Sequence, residues 1–74
     1  MRQNTFGSFV KRNRADRQLA RRRVAEESGI TEQRLELIEV NQVVPDYRDI
    51  KGLANALKLP EHELLEEAGY VAPK

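Results

Sequence analysis

The amino-acid sequence predicts an all-α fold, a compact bundle of five short helices. Apolar residues recur three and four positions apart along most of the chain, strand-like alternation is absent, and good helix formers dominate. A length of 74 residues allows one small domain whose core is only a few side-chain layers thick. We therefore expect a single domain over residues 1–74, with its core at about 6–69 and a frayed tail at 70–74.

The first helix is expected from about Phe6 to Arg14 or a little beyond. Thr5 is a suitable N-cap, because its hydroxyl oxygen can accept a hydrogen bond from a free N–H of the first turn. Three apolar side chains, at the spacing of one helix face, are expected to point into the core: Phe6, Phe9 and Val10.

A bend is expected around residues 15–20. If the first helix continued, its apolar seam would carry the polar Asn13 and Arg17 into the core. A second helix from about Ala20 or Arg21 to Ser28 avoids this. The bend re-aims two apolar residues toward the core, Leu19 and Val24.

A tight turn of about three residues is expected to join the second and third helices. Gly29 suits the left-handed conformation that ends a helix, and Thr31 suits the N-cap of the next one. The third helix then runs from Glu32 to about Val40, and Asn41, which tolerates positive φ, is a fitting end. Two helices joined in this way form the unit that places its second helix in a DNA groove.

The last two helices follow a loop that reaches Pro45. Asp46 is expected to cap the fourth helix, with Asp49 three residues later completing a capping box. Pro60 suits the first position of the fifth helix, and Gly69 ends that helix. The inward residues of these helices are expected to be Ile50, Leu53, Ala54, Leu57, Leu64 and Leu65.

Composition argues against several classes of function. The chain has no cysteine, so neither a disulfide framework nor a thiolate metal site is possible, and the single histidine, His62, cannot form a metal cluster alone. We expect His62 to lie in solvent without a role. Since the sequence offers no nucleophile and base pair and no glycine-rich phosphate loop, we expect no enzyme and no cofactor. Without a long apolar run or a signal-peptide pattern at the N-terminus, we expect a cytoplasmic protein outside the membrane.

Charge is distributed unevenly along a chain whose net charge is only +1. Residues 1–24 carry eight basic side chains and one acidic one, whereas residues 25–74 carry five basic and eleven acidic ones. One interpretation is a basic face attracted to an anionic polymer, with an acidic face turned to solvent or to a second protein. The alternative is that the two halves attract each other within the fold or are solvated.

Four segments carry a resemblance to a known family. They are "FGSFVKRNR", then "VAEESGIT" where the family has Leu-Ala-x-x-x-Gly-Val-Ser, "RLELIEVNQVVP" with its Ile-Glu and later Pro, and "DIKGLANALKLPEHELLEEAGY". From Phe6 to about Tyr70 the chain thereby resembles the phage-repressor and Cro-like helix-turn-helix domains, called XRE-like. The resemblance implies a lambda-repressor-like bundle from a prokaryote or phage that binds double-stranded DNA. Taken together, the specific positions are Ala25, Gly29, Glu39, Pro45, Leu53, Ala54 and Leu57.

The resemblance also implies individual roles. Arg14 of the first helix is expected to pair with Glu39 at the end of the third, a structural contact. Arg21 falls at the contact position that begins the second helix, and Arg22 and Arg23 follow it. The third helix is expected to contact base edges with Glu32, Gln33 and Leu37, and the DNA backbone with Thr31 and Arg34.

Chemistry supports these assignments only in part. A glutamine amide can form two hydrogen bonds with adenine, a carboxylate can accept one from the cytosine amino group, and a leucine can contact a thymine methyl. Equally, Glu32 and Gln33 are ordinary first-turn residues, where a carboxylate favours the positive end of the helix dipole.

The sequence departs from the family where basic or polar residues are common. Leu37, Val40, Val43 and Val44 are aliphatic, Glu36 adds a negative charge, and Ala20 stands where the family often caps its second helix. Phosphate contacts would be few, so affinity should be modest and dependent on salt. The resemblance implies a homodimer, through a surface that would comprise Val43, Val44, Leu65 and Tyr70.

Two functions therefore remain open at this point. The first is a sequence-specific DNA-binding transcriptional regulator, a repressor acting as a dimer with its third helix in the major groove. The second is a protein-interaction module that keeps the fold but binds DNA weakly or not at all. In that case the acidic and aliphatic third helix and the loop after it would contact a partner.

Overall fold

The computed structural model describes residues 6–69 and contains five α-helices in that range. Their bounds are α1 Phe6–Asp16, α2 Arg21–Ser28, α3 Glu32–Glu39, α4 Tyr47–Leu57 and α5 Glu61–Glu67. Residues 6–69 contain no strand. The all-α class and the five-helix architecture are confirmed.

The chain bends between α1 and α2, as the apolar register predicts. Helix α1 extends to Asp16, two residues past Arg14, and Gln18 then adopts a left-handed conformation with φ of 55°. The turn places Leu19 against the core and leaves Val24 fully buried. The predicted N-cap of α1, Thr5, lies outside the described residues.

The turn between α2 and α3 spans residues 29–31 and matches its prediction. Gly29 has φ of 80°, and its N–H donates to the carbonyl of Ala25 at 3.0 Å. The hydroxyl of Thr31 accepts from the N–H of Arg34 at 3.0 Å, which is the expected N-cap. Helices α2 and α3 therefore form a helix-turn-helix.

Helix α3 ends against the beginning of α1. It stops at Glu39, one residue before the expected Val40, and Asn41 follows with φ of 63°. The side-chain Oδ1 of Asn41 accepts from the N–H of Gly7 at 3.0 Å. A Cβ on Gly7 would lie 2.5 Å from the carbonyl oxygen of Glu39, so only glycine permits this approach.

Helix α4 packs along α2 and also contacts α5 and α1. Asp46 and Asp49 form the predicted capping box at its start. A Cβ on Gly52 would overlap the backbone carbonyl of Ser28, so this glycine sets the distance between the two helices. The prediction for Pro60 was off by one residue, because its ψ of 141° is extended and α5 begins at Glu61.

All five helices contribute to one hydrophobic core. Helix α3 contributes Leu35 and Ile38, which are 0% and 1% exposed. None of the helices in residues 6–69 is both long and apolar enough to cross a membrane. The buried hydrophobic residues are Phe6, Val10, Val24, Ala25, Leu35, Ile38, Ile50, Leu53, Ala54, Ala56, Leu57 and Leu64.

Candidate nucleic-acid interface

Helix α3 turns one face away from the core, and we call its side chains the outward face of α3. Glu32, Gln33 and Glu36 are exposed, whereas Leu37 beside them is half-buried. The helix is eight residues long and buries Leu35, Ile38 and Glu39, so these four side chains are presented from a helix that packs on the core. Two of them are carboxylates, one is an amide and one is aliphatic.

A buried carboxylate connects this helix to α1 and α2. Arg14 Nε lies 2.7 Å from Glu39 Oε2, and Arg14 Nη2 lies 3.1 Å from Glu39 Oε1. A third nitrogen of Arg14 donates to the carbonyl of Leu19 at 3.0 Å, which ties the bend to the same group. The Glu39 side chain is only 2% exposed. The structure therefore brings together the pair that the resemblance implies.

Arg21 joins this cluster, which the sequence did not predict. Its Nε lies 3.4 Å from Glu39 Oε1, and its side chain is 35% exposed. Arg21 begins α2 and has a long, partly exposed side chain, so it can reach outward while it borders the buried carboxylate. The N-cap of α2, Ala20, makes no side-chain hydrogen bond.

Arg22 and Arg23 lie on the exposed side of α2, and each faces a glutamate four residues later. Arg22 Nε is 3.9 Å from Glu26 Oε2, and Arg23 Nε is 2.7 Å from Glu27 Oε2. The hydrogen bond from Arg23 holds the pKa of Glu27 below its ordinary value. Part of the positive charge of the first half is thus offset locally by acidic residues of the second half.

Arg34 forms two hydrogen bonds to one buried carboxylate, unlike the exposed Arg22 and Arg23. Its Nε donates to Asp49 Oδ1 at 3.0 Å and its Nη2 donates to Asp49 Oδ2 at 2.7 Å. Burial by itself would raise the pKa of Asp49, but hydrogen bonds from Arg34 and from the backbone of Asp46 outweigh it, so the pKa lies below its ordinary value. The sequence indicated Asp49 only as part of a capping box, since nothing local reveals a partner 15 residues away.

The apolar surface expected after α3 is divided in the structure. Val44 and Val40 are 77% and 55% exposed, whereas Val43 and Leu65 are partly buried and pack against the core. Tyr70, the fourth residue of the expected dimer surface, lies outside the described residues. Of the expected surface, Val44 is therefore exposed to solvent, while Val43 and Leu65 also cover the core.

Among the described residues, His, Asp and Glu side chains form no group that could hold a metal ion. His62 is exposed in the first turn of α5. At the start of α4, the hydroxyl of Tyr47 donates to Glu61 Oε1 at 3.0 Å. This hydrogen bond to a carboxylate raises the pKa of Tyr47. This contact joins the starts of α4 and α5 and lacks a local sequence signal.

The fold and the turn between α2 and α3 define a helix-turn-helix domain, a class of domain in which the second helix of the pair commonly enters a DNA groove. A family model described as a helix-turn-helix domain matches residues 5–67. The chain belongs to this family, in agreement with its resemblance to the phage-repressor and Cro-like domains. Family membership indicates a DNA-binding regulator. Comparison with curated proteins and with solved structures gave no significant match.

Proposed function

We propose that the protein is a sequence-specific DNA-binding transcriptional regulator, a repressor that acts as a homodimer on the nucleoid in the cytoplasm. The observation that carries this proposal is the outward face of α3, which is presented by a helix-turn-helix packed on the core with arginines on its flanks. In a dimer, two copies of α3 would enter successive major grooves about 34 Å apart.

Base reading is assigned to three side chains of α3. The amide of Gln33 matches the donor and acceptor of adenine, and the carboxylate of Glu32 can accept from the amino group of cytosine. Leu37, half-buried on the same side, suits contact with a thymine methyl. Glu36 is exposed beside them, where it repels phosphate and favours bases that present amino groups.

Backbone contact is assigned to side chains at the starts of α2 and α3. Thr31 is exposed at the N-terminus of α3, and Arg34 is partly exposed beside it. Glutamates border all three arginines of α2, so DNA phosphates compete with existing ion pairs and affinity should be modest. The arginines of α2 assigned to phosphate are Arg21, Arg22 and Arg23.

The test is a titration of the protein with duplex DNA of mixed sequence at about 50 mM and about 200 mM salt. We expect binding that weakens steeply as salt rises. Changing Arg21, Arg22 and Arg23 together to Ala should weaken binding at least tenfold and lower the salt slope by about 3, since each lost phosphate contact removes about one released ion.

A matched control changes three exposed cations to Ala: Arg48 and Lys51 of α4, and Lys58 at its C-cap. It removes the same charge from another helix and should reduce binding much less. If the wild type fails to bind duplex even at low salt, the proposed function is wrong. If the two triple variants lose equal affinity, the choice of contact residues is wrong.

The second candidate, a protein-interaction module, is favoured by one observation. Val40 and Val44 are exposed aliphatic side chains, and Val40 follows the exposed Glu36 by one helical turn, its N–H donating to the Glu36 carbonyl. Apolar residues beside acidic ones suit a partner surface that is apolar with a basic rim.

The two valines also provide the test of self-association or complex formation. Val40→Asp with Val44→Asp should abolish either one, as measured by sedimentation, because both side chains would be desolvated in an interface. Asn55→Asp, on the exposed side of α4, adds a similar charge and is the control. Val43 is unsuitable for this test, since it packs against the core. Association unchanged by the double substitution would exclude this surface.

A further inference from the structure

The pair between Arg34 and Asp49 has an inner and an outer end. The Asp49 side chain is 5% exposed, whereas the Arg34 side chain is 39% exposed. The carboxylate is thus enclosed by protein and the guanidinium is turned toward solvent. The surface of the molecule at this point presents the cation.

Asp49 is itself held in place by the start of α4. Its Oδ2 accepts from the N–H of Asp46 at 2.9 Å, and its own N–H donates to Asp46 Oδ1 at 2.9 Å. The carboxylate also accepts hydrogen bonds from two nitrogens of Arg34. A buried acceptor with these partners has little freedom, so it fixes the plane of the guanidinium that it binds.

Arginine has five N–H donors, and the contact with Asp49 engages only its Nε and Nη2 edge. Donors remain on the outer end of the group. By contrast, Arg23 pairs with a glutamate that is 35% exposed on the same helix, which orders the side chain much less. Arg34 is also the third residue of α3, beside the exposed Gln33.

We propose that Asp49 is a positioning residue for DNA binding, which holds the guanidinium of Arg34 beside the outward face of α3 with its outer donors directed at a DNA phosphate. This inference rests on the proposed function. Asp49 does not touch DNA in this arrangement. It removes the rotamer freedom that Arg34 would otherwise lose on binding.

The test compares two isosteric substitutions in DNA titrations over a range of salt. Asp49→Asn removes an acceptor of Arg34 and one negative charge. Asp46→Asn removes a charge three residues away but retains an oxygen that can cap α4, and it leaves the pair intact. Relative to Asp46→Asn, Asp49→Asn should weaken binding by about two- to tenfold with little change in the salt slope, because a mobile Arg34 still reaches phosphate.

A double-mutant cycle tests whether Asp49 affects DNA binding through Arg34 or through an independent effect on the stability of the domain. Arg34→Ala should weaken binding about tenfold and lower the salt slope by about 1. Adding Asp49→Asn to Arg34→Ala should change affinity less than about twofold, since no guanidinium is left to position. Circular dichroism at the titration temperature checks that each variant is folded.

Should Asp49→Asn not fold, Arg34→Lys serves instead, because it keeps the charge but cannot form the two-nitrogen contact. It should weaken binding while the salt slope is retained. The proposal is overturned if Asp49→Asn binds like Asp46→Asn or more tightly, if the cycle is additive, or if Arg34→Lys binds like the wild type. In each case a wild type that binds duplex leaves the proposed function standing, whereas a wild type that does not bind overturns both.

Discussion

Glu39 is a buried carboxylate that binds arginines from two other helices. Its side chain is 2% exposed and lies 2.7 Å from Arg14 and 3.4 Å from Arg21. A buried charge is costly unless it is paired, so the value of this group lies in having both partners present. Removing it leaves Arg14, which is itself only 14% exposed, without its main acceptor.

We therefore expect Glu39→Ala to lower the free energy of unfolding by roughly 3 kcal/mol, a large fraction of the stability of a domain this small. Chemical denaturation followed by circular dichroism measures this quantity. Glu36→Ala is the control, because it removes a glutamate from the exposed side of the same helix and should change stability by less than about 0.5 kcal/mol. Equal effects of the two substitutions would contradict a structural role for Glu39.

Two close approaches between helices set the geometry of the helix-turn-helix at the scale of the element. Gly7 allows α1 to contact the end of α3, and Gly52 allows α4 to contact the end of α2. Helices α2 and α3 are thus each fixed at the C-terminal end by a neighbouring helix. Their orientation relative to each other depends on these contacts as well as on the turn at Gly29.

Gly52→Ala should separate α4 from α2, because its Cβ would overlap the carbonyl of Ser28. We expect a loss of about 2 kcal/mol and a melting temperature lower by roughly 10 °C. Asn55→Ala, three residues later on the exposed side of α4, improves helix propensity and should not lower the melting temperature. A Gly52→Ala variant as stable as the wild type would show that the helices can shift without cost.

Across the whole molecule, basic side chains of the first half form ion pairs with acidic side chains of the second half. The basic first half and the acidic second half meet in the ion pairs of Glu39, Glu26 and Glu27. The alternative weighed from the sequence, internal attraction between the halves, thus describes part of the arrangement. Arg34 and Asp49 form a further pair within the acidic half.

Acid should destabilise the molecule through these carboxylates. In the folded protein the pKa of Asp49 lies below its ordinary value of 3.8, and the pKa of Glu27 lies below its ordinary value of 4.5. Each ionised carboxylate therefore stabilises the folded state at pH values above its ordinary pKa. This stabilisation is lost as pH falls through the lower pKa of the folded state. We expect the free energy of unfolding to fall as pH drops below about 4.5, where the ordinary carboxylates of the unfolded chain begin to bind protons. Urea denaturation between pH 7 and 2 would measure it.

In the Asp49→Asn variant the free energy of unfolding should fall less steeply with acid than in the wild type, because Asp49 is the more enclosed of these two carboxylates. Glu27→Gln should reduce the decline less, since Glu27 is an exposed partner of Arg23. A wild-type stability that is flat down to pH 3 would contradict the linkage.

The sequence by itself determined the elements of this fold, because their signals are local. Apolar spacing, Gly29, Thr31 and the capping box of α4 identify the helices and the turn between α2 and α3, with errors of one or two residues at the ends. The family pattern indicated the helix-turn-helix domain that the match over residues 5–67 shows.

Only the tertiary structure decided which charges are bound and which apolar residues remain exposed. Arg21 at Glu39, Arg34 at Asp49, and the division between Val43 and Val44 all depend on contacts between segments distant in the chain. Such contacts follow from the packing of helices, and no short stretch of sequence encodes them. For this reason helix α3 could be located from the sequence, while the pairing of Arg34 with Asp49 could not.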